Sequence, residues 1–159
     1  MKLRVLFLCA GNAVQSPIAE SLLTAADSEH FEVASAGIER GDIHPITIDV
    51  MKEIGVDLHG RATKVIQDVA NSNYDFVITL SDRARFECPE FPGAELVHWQ
   101  LDDPFSSQDE AKQKRLFQSL RDQIAQRVRL FALVQVRFIE IQLSEIQDRS
   151  HGQPGVVHS

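Results

Sequence analysis

Cysteine is scarce in this chain: Cys9 and Cys88 are the only two among 159 residues. Two thiols are too few for a disulfide framework or a four-thiolate zinc site. His44, His59 and His98 are scattered along the sequence, so no metal site is expected. Basic charge is short as well. Sixteen Lys and Arg against 23 Asp and Glu leave a net charge of −7. There is no global field to draw in nucleic acid, and neither a basic-aromatic surface nor a nucleotide loop is evident. Any bound anion must be held by local dipoles and a few placed cations. No apolar run reaches the roughly 18–20 residues that span a bilayer. The apolar stretch from Val5 to Ala10 is too short for a signal-peptide core and no small-residue cleavage site follows it. No membrane partner is expected, and a cytoplasmic location is the default expectation.

What is present is the ordinary composition of a globular domain, 43% apolar and 25% charged. The run LRVLFLC, Leu3 to Cys9, suits a parallel strand buried on both faces. A short loop with Gly11 and Asn12 follows, and then a helix, with Ser16 as the expected N-cap and Pro17 at the first helical position. A second strand is expected at Phe31 to Ala36, and a helix from about Pro45 to Ile54 that stops at Gly55. A short helix is expected near Val65 to Ala70. Further strands are expected at Tyr74 to Leu80 and at Glu95 to Leu101, separated by a charged, proline-bearing loop from Ser81 to Gly93. A long helix begins near Ser107, with Leu116, Leu120, Ile124, Val128 and Phe131 at three- and four-residue steps. Strands alternating with helices indicate an α/β sandwich around a mostly parallel sheet.

Beyond Phe131 two readings stand. Val134, Phe138 and Ile141 continue the helical stripe, whereas VQVRFIEIQL also alternates with the two-residue period of a strand. The helix is the preferred reading. The chain thus divides into a domain over residues 1–132, a helical extension over 133–150 and a tail over 151–159. An apolar stripe that outruns its own domain has nothing local to cover it, so residues 133–148 are expected to pack on a partner chain, most simply in a symmetric homodimer. The alternative is a fold-back onto the sheet.

In open α/β sheets, ligands bind at the carboxyl ends of the strands. Cys9 stands at that end of the first strand, before a loop that feeds a helix N-terminus. Loop amides and the helix dipole together favour an anion there, and such surroundings favour the thiolate form of a cysteine in general. Cys9 is therefore a candidate nucleophile; by position alone it reads equally well as a buried strand-end residue.

The loop carries more than position. CAGNAVQSPIAE, Cys9 to Glu20, resembles the signature of the low-molecular-weight protein tyrosine phosphatases and the related thioredoxin-coupled arsenate reductases. Cys9, Gly11, Asn12, Ser16 and Pro17 match it. The resemblance extends over residues 3 to about 131. It takes in Ser35-Ala36-Gly37, HPITIDVMKEIGVDL from His44, LSDRARFECPEFPG from Leu80 and HWQLDDP from His98. It implies a three-layer α/β fold with a four-stranded parallel sheet of order 2-1-3-4. It also implies roles. Cys9 would attack the phosphorus or arsenic of an oxyanion held by Ala10, Gly11, Asn12, Ala13, Val14, Gln15 and Ser16. Asp103, directly before Pro104, would protonate the leaving oxygen, where spacing alone suggests a turn carboxylate and Asp102 competes. The Ser16 hydroxyl would hydrogen-bond the Cys9 sulfur, and Cys88 matches the third of three redox cysteines. No bound cofactor is implied, only a thiol reductant, thioredoxin or a small thiol.

Two departures from the pattern stand out. Gln15 occupies the place of the arginine that grips two oxyanion oxygens; glutamine donates hydrogen bonds but carries no charge and no two-pronged fork. Arg40, Arg83 and Arg85 are candidates to supply the missing cation, Arg83 foremost, against the reading that each is a solvated surface residue. Ser81 stands where the middle redox cysteine belongs, so Cys88 would have to resolve a Cys9 adduct directly, or an external thiol would. The expected activity is slow arsenate reduction. Two alternatives stand beside it: a tyrosine phosphatase working through a phosphocysteine, for which the aromatic lip is reduced to Phe105, and an impaired oxyanion-binding module.

Overall fold

In a computed structural model, residues 2–152 are described. Four strands, β1 (Leu3–Cys9), β2 (Phe31–Gly37), β3 (Phe76–Thr79) and β4 (Glu95–His98), form one sheet of order β2-β1-β3-β4. Every pairing is parallel, with Leu3 beside Phe31, Val5 beside Phe76 and Phe76 beside Glu95. This is the expected sheet, although β3 and β4 are shorter than expected, β4 ending at His98 rather than Leu101.

The helices are α1 (Gln15–Ala26), α2 (Pro45–Lys52), α3 (Ile66–Val69), α4 (Asp82–Glu87) and α5 (Glu110–Gly152). The unbroken apolar run of β1 now has its reason. Val5, Phe7 and Cys9 join one buried cluster with Ile18, Leu23, Val50, Phe117, Leu120, Ile124 and Val128, from α1, α2 and α5. Leu6 and Leu8 join a second with Ile66, Val69 and Ala84, from α3 and α4. Successive strand residues face opposite ways, so a central strand covered on both sides must be apolar throughout.

Two local expectations are corrected. The segment after Ser81 is not all loop: its first part is α4, where the Ser81 hydroxyl accepts the Ala84 amide at 3.2 Å and Arg83 pairs with Glu87 one turn on at 2.8 Å. Pro89 and Pro92 stop helix formation only after Cys88. The second correction concerns α1. It starts at Gln15, with Val14 as an N-cap that makes no side-chain bond. Pro17 is thus the third helical residue, tolerated because the first four amides of a helix have no intrahelical partner.

Beyond Phe131 the chain is helical, so the strand reading falls. Phe131 is the last large anchor of α5 on the sheet, its ring 5.8 Å from Phe31, 5.1 Å from Phe76 and 6.1 Å from Trp99. Val136 still touches the core; from Glu140 to Gly152 every residue is exposed. The helix includes His151 and Gly152, two residues of the expected tail; the rest of that tail, 153–159, lies outside the described residues. No helix among the described residues is long and apolar enough to cross a membrane.

Candidate active site around Cys9

Cys9 is the last residue of β1 and is 1% exposed. The loop after it is held from outside by its carbonyls. The oxygens of Cys9, Ala10 and Gly11 accept the amides of Ile38, Glu39 and Gly41 at 2.9–3.1 Å. The Ala13 oxygen accepts the His44 amide at 3.0 Å and the Thr47 hydroxyl at 3.1 Å. Among the described residues, no N–H of Gly11, Asn12, Ala13 or Val14 donates to a protein acceptor. Buried amides are ordinarily paired, so a loop with its carbonyls committed and its amides free has the polarity of an anion cradle.

Backbone must approach closely to make those bonds, and Gly37 permits it. A Cβ on Gly37 would stand 2.6 Å from the Asn12 nitrogen and 2.5 Å from the Glu39 oxygen. No side chain fits there, which is why the second strand ends in glycine. Asn12 itself has φ 55°, the left-handed region that asparagine tolerates better than most residues.

Asn12 is the hub of a buried hydrogen-bond chain. Its Nδ2 donates to Ser16 Oγ at 2.8 Å and to Ser35 Oγ at 3.0 Å, and its Oδ1 accepts the Lys64 amide at 2.9 Å. Every polar atom of that side chain is therefore used, and the amide orientation is fixed. With Asn12 donating to it, Ser16 Oγ has one proton to give. Cys9 Sγ is 2.9 Å away and the Ala36 carbonyl 3.5 Å, so the sulfur is the better placed acceptor. Ser16 is the second residue of α1 and its hydroxyl is engaged here, while the N-cap position falls on Val14, whose side chain has no acceptor to cap the helix. On the other arm, Ser35 Oγ donates to Glu20 Oε2 at 2.9 Å, and Glu20 is ion-paired with Arg61. Burial pushes the Arg61 guanidinium below its ordinary range. Glu20 and Arg61 were not singled out from the sequence. They are 41 positions apart, and only the motif serine, Ser35, gives a hint of them.

Beside the loop lies an open cleft of about 210 Å³ lined by Gln15, Ser81, Asp82, His98, Asp102 and Asp103, with Trp99 at its wall. The fold thus brings Asp103 and Gln15, 88 positions apart in sequence, to one cleft. Asp103 is exposed, its Oδ1 accepting the Phe105 amide at 2.8 Å. His98 Nδ1 is 2.8 Å from Thr79 Oγ1. No lysine or arginine lines this cleft. Arg83, the foremost candidate from sequence, is held between Glu39 and Glu87 at 2.8 Å each. Arg40 is bound to Asp68 and to the Thr63 carbonyl, and Arg85 lies exposed on α4. None of these three arginines lines the cleft.

The second thiol stands apart. Cys88 closes α4 and packs against the cluster that holds Leu6 and Leu8, on the opposite face of the sheet from the cluster of Cys9. Its Sγ donates to the Pro89 carbonyl at 3.4 Å, and burial pushes the thiol above its ordinary range. Both cysteines are free.

The residue after Asp103-Pro104 is aromatic. Phe105 packs edge-on to Phe117 at 5.4 Å and to His44 at 5.6 Å. His44 caps α2, its Nδ1 accepting the Ile46 amide at 3.1 Å, and burial lowers its pKa. A lowered histidine pKa favours the neutral ring in the folded state. That contribution is present in full above about 6.5 and is lost as pH falls through the lower folded value. Protonation also removes the acceptor that caps α2. The wild-type melting temperature is therefore expected to fall more steeply between pH 7 and pH 5 than that of His44→Asn, which keeps a capping side chain without the titration. Parallel slopes would show that His44 is not the group responsible.

The comparisons with known proteins agree with this geometry. Residues 4–141 match the model of the low molecular weight phosphotyrosine protein phosphatase family. The arsenate reductase of Bacillus subtilis (strain 168) is 35% identical over 130 residues, covering 80% of this chain and 94% of that protein. Among solved structures, an arsenate reductase in the phosphate binding state superposes with a TM-score of 0.70 at 30% identity, over 82% of this chain and 96% of that one. A thioredoxin-dependent arsenate reductase of Corynebacterium glutamicum superposes with a TM-score of 0.61 at 28% identity, over 90% of this chain and 63% of that one. With its parallel sheet, its cysteine-led loop and these matches, the chain belongs to the low molecular weight phosphotyrosine protein phosphatase family and is arsenate reductase-like within it.

Proposed function

We propose that the protein reduces arsenate, slowly, with Cys9 as nucleophile and a thiol as the source of electrons. The Cys9 sulfur attacks arsenic while an As–O bond breaks, and Asp103 gives its proton to the departing oxygen, which leaves as water. A second thiol then attacks the Cys9 sulfur. The S–As bond breaks with its electron pair remaining on arsenic, so As(V) becomes As(III) and the two sulfurs become a disulfide. The free amides of residues 11–14 hold the oxyanion. Ser16 holds the Cys9 sulfur, and a nucleophile, an acid and an oxyanion cradle are the parts such a reaction needs.

The observation that carries the reading is the 2.9 Å contact of Cys9 Sγ with a hydroxyl whose other partner, Asn12, leaves it a proton to donate. The cleft also has the scale of a small anion, being below the roughly 300–1,000 Å³ of sites for drug-sized ligands. The second thiol is an external one, a thioredoxin-type dithiol or a small thiol. Ser81 cannot form a disulfide, and Cys88 is half-buried on the other face of the sheet with a raised pKa. The test is arsenate-dependent consumption of thiol with thioredoxin and with a monothiol, beside hydrolysis of p-nitrophenyl phosphate. Arsenate turnover that vanishes in Cys9→Ser and survives in Cys88→Ser is expected. Phosphate ester hydrolysis without arsenate turnover would make the protein a phosphatase instead. Anion binding with neither activity would make it a binding module.

A further inference from the structure

The outer face of α5 is an apolar seam with oppositely charged ends. Stepping by three and four residues, that face carries Arg127, Leu130, Val134, Phe138, Ile141, Glu145 and Asp148. Leu130, Val134, Phe138 and Ile141 are 42–56% exposed. Val134, Phe138 and Ile141 continue the stripe of Leu120, Ile124 and Phe131 past the last aromatic contact with the sheet, where they stand exposed. Charge is segregated along the helix. Residues 126–139 hold Arg127, Arg129 and Arg137 and no acidic residue; residues 140–148 hold Glu140, Glu145 and Asp148 and no basic one. The acidic run lies within the overhang beyond Phe131, the last aromatic anchor on the sheet, with Arg149 directly after it, and it reaches past the end of the family match at residue 141.

We infer that this face binds a second copy of the chain, helix against antiparallel helix, about a twofold axis beside Phe138. In that register Val134 meets Ile141 of the other copy, and each Arg127 meets the other copy's Asp148. The acidic overhang of each chain then lies along the basic stretch of its partner, twice over by symmetry. A parallel pairing would stack basic on basic and acidic on acidic. The four apolar side chains, with Leu133 at the flank (63% exposed), offer roughly 450–550 Å² per chain. That is below the ~800 Å² per partner of a standard stable interface yet as large as the largest apolar patch a typical monomer leaves bare. The expected dimer is accordingly a weak one. The inference is independent of the proposed chemistry, since none of these residues lines the Cys9 loop or the cleft.

Sedimentation equilibrium of the full chain from 5 to 200 μM tests it, with circular dichroism to confirm that each variant is folded. A monomer–dimer equilibrium with a midpoint of tens of micromolar is expected for the wild type. Val134→Glu with Ile141→Glu is expected to abolish it. Arg127→Glu alone and Asp148→Arg alone are each expected to weaken it about tenfold. The chain carrying both swaps restores the pair in reversed sense and is expected within about twofold of wild type. A monomer at 200 μM overturns the inference, and so does dimerisation indifferent to Val134 and Ile141. A double swap no better than the single ones overturns the antiparallel register. Co-sedimentation of a monomeric chain with anionic phospholipid vesicles would assign the face to a lipid surface and overturn it equally.

Discussion

Gln15→Arg is expected to raise the arsenate-dependent rate at least tenfold. Gln15 is the first residue of α1 and lines the cleft that Asp103 also lines. The carboxylates lining it are Asp82, Asp102 and Asp103, and no lysine or arginine does. An incoming oxyanion therefore meets loop amides and a helix N-terminus on one side and carboxylates on the other. A guanidinium at position 15 adds two charge-assisted hydrogen bonds of roughly 1.5–3 kcal/mol each. Together they are worth on the order of 3–6 kcal/mol, and at about 1.4 kcal/mol per decade that is a ceiling of roughly 10²–10⁴ in rate. Competition from the neighbouring carboxylates is why a tenfold gain, and not the ceiling, is the threshold. Steady-state kcat/KM of the two proteins decides it. Equal rates would mean that the site already has a cation. Arg83→Ala should change the rate less than twofold, because Arg83 is already engaged by Glu39 and Glu87.

The second large effect is expected at a residue that never touches substrate. Glu20 and Arg61 form an ion pair with side chains only 11% and 28% exposed. Removing one partner of a buried pair typically costs about 3–5 kcal/mol, because the other charge is left without compensation. The partial exposure of Arg61 brings the expectation for Arg61→Met down to roughly 2–3 kcal/mol. At about 2–4 °C per kcal/mol for a domain of this size, the melting temperature should fall by some 4–12 °C. The same change reaches Cys9 through Glu20, Ser35, Asn12 and Ser16, each bonded to the next at 2.8–3.0 Å up to the sulfur. With Glu20 no longer fixed, Ser35 and then the Asn12 amide lose their orientation, and kcat/KM is expected to drop about tenfold. Arg61→Lys should recover most of both losses, and Glu20→Gln on the Arg61→Met background should recover stability, since a neutral amide needs no cation. A melting temperature within 1 °C of wild type in Arg61→Met would show that the pair contributes nothing.

The strand–loop–helix at the N-terminus was legible because its signals are local. An apolar run, a glycine, a cysteine at the strand end and an apolar stripe at helical spacing all fall within 26 residues. The sheet order and the meeting of Gln15 with Asp103 were reached through the resemblance, since no short-range pattern states which strands pair. The start of α1 was misjudged from sequence: Ser16 has the chemistry of a cap, but it is the second helical residue and its hydroxyl is engaged by the Cys9 sulfur. The helix α4 was missed because Pro89 and Pro92 sit close behind it, while its own cap, Ser81, and its Arg83–Glu87 pair were there to be read.

What the sequence determined by itself is composition-bound and short-range. It set an α/β chain with a thiol at the mouth of a helix, an acid before Pro104, no arginine at position 15 and a final stripe longer than its domain. Only the tertiary structure decided the rest. It put Cys88 behind the sheet from Cys9, tied Arg83 to Glu39 and Glu87, ran the hydrogen-bond chain out to Arg61 and made the last stripe a free helix. The reason is common to all four. A side chain's partner is fixed by which faces the fold brings together, and charges and hydroxyls pair with whatever lies within about 3 Å, however far away in sequence.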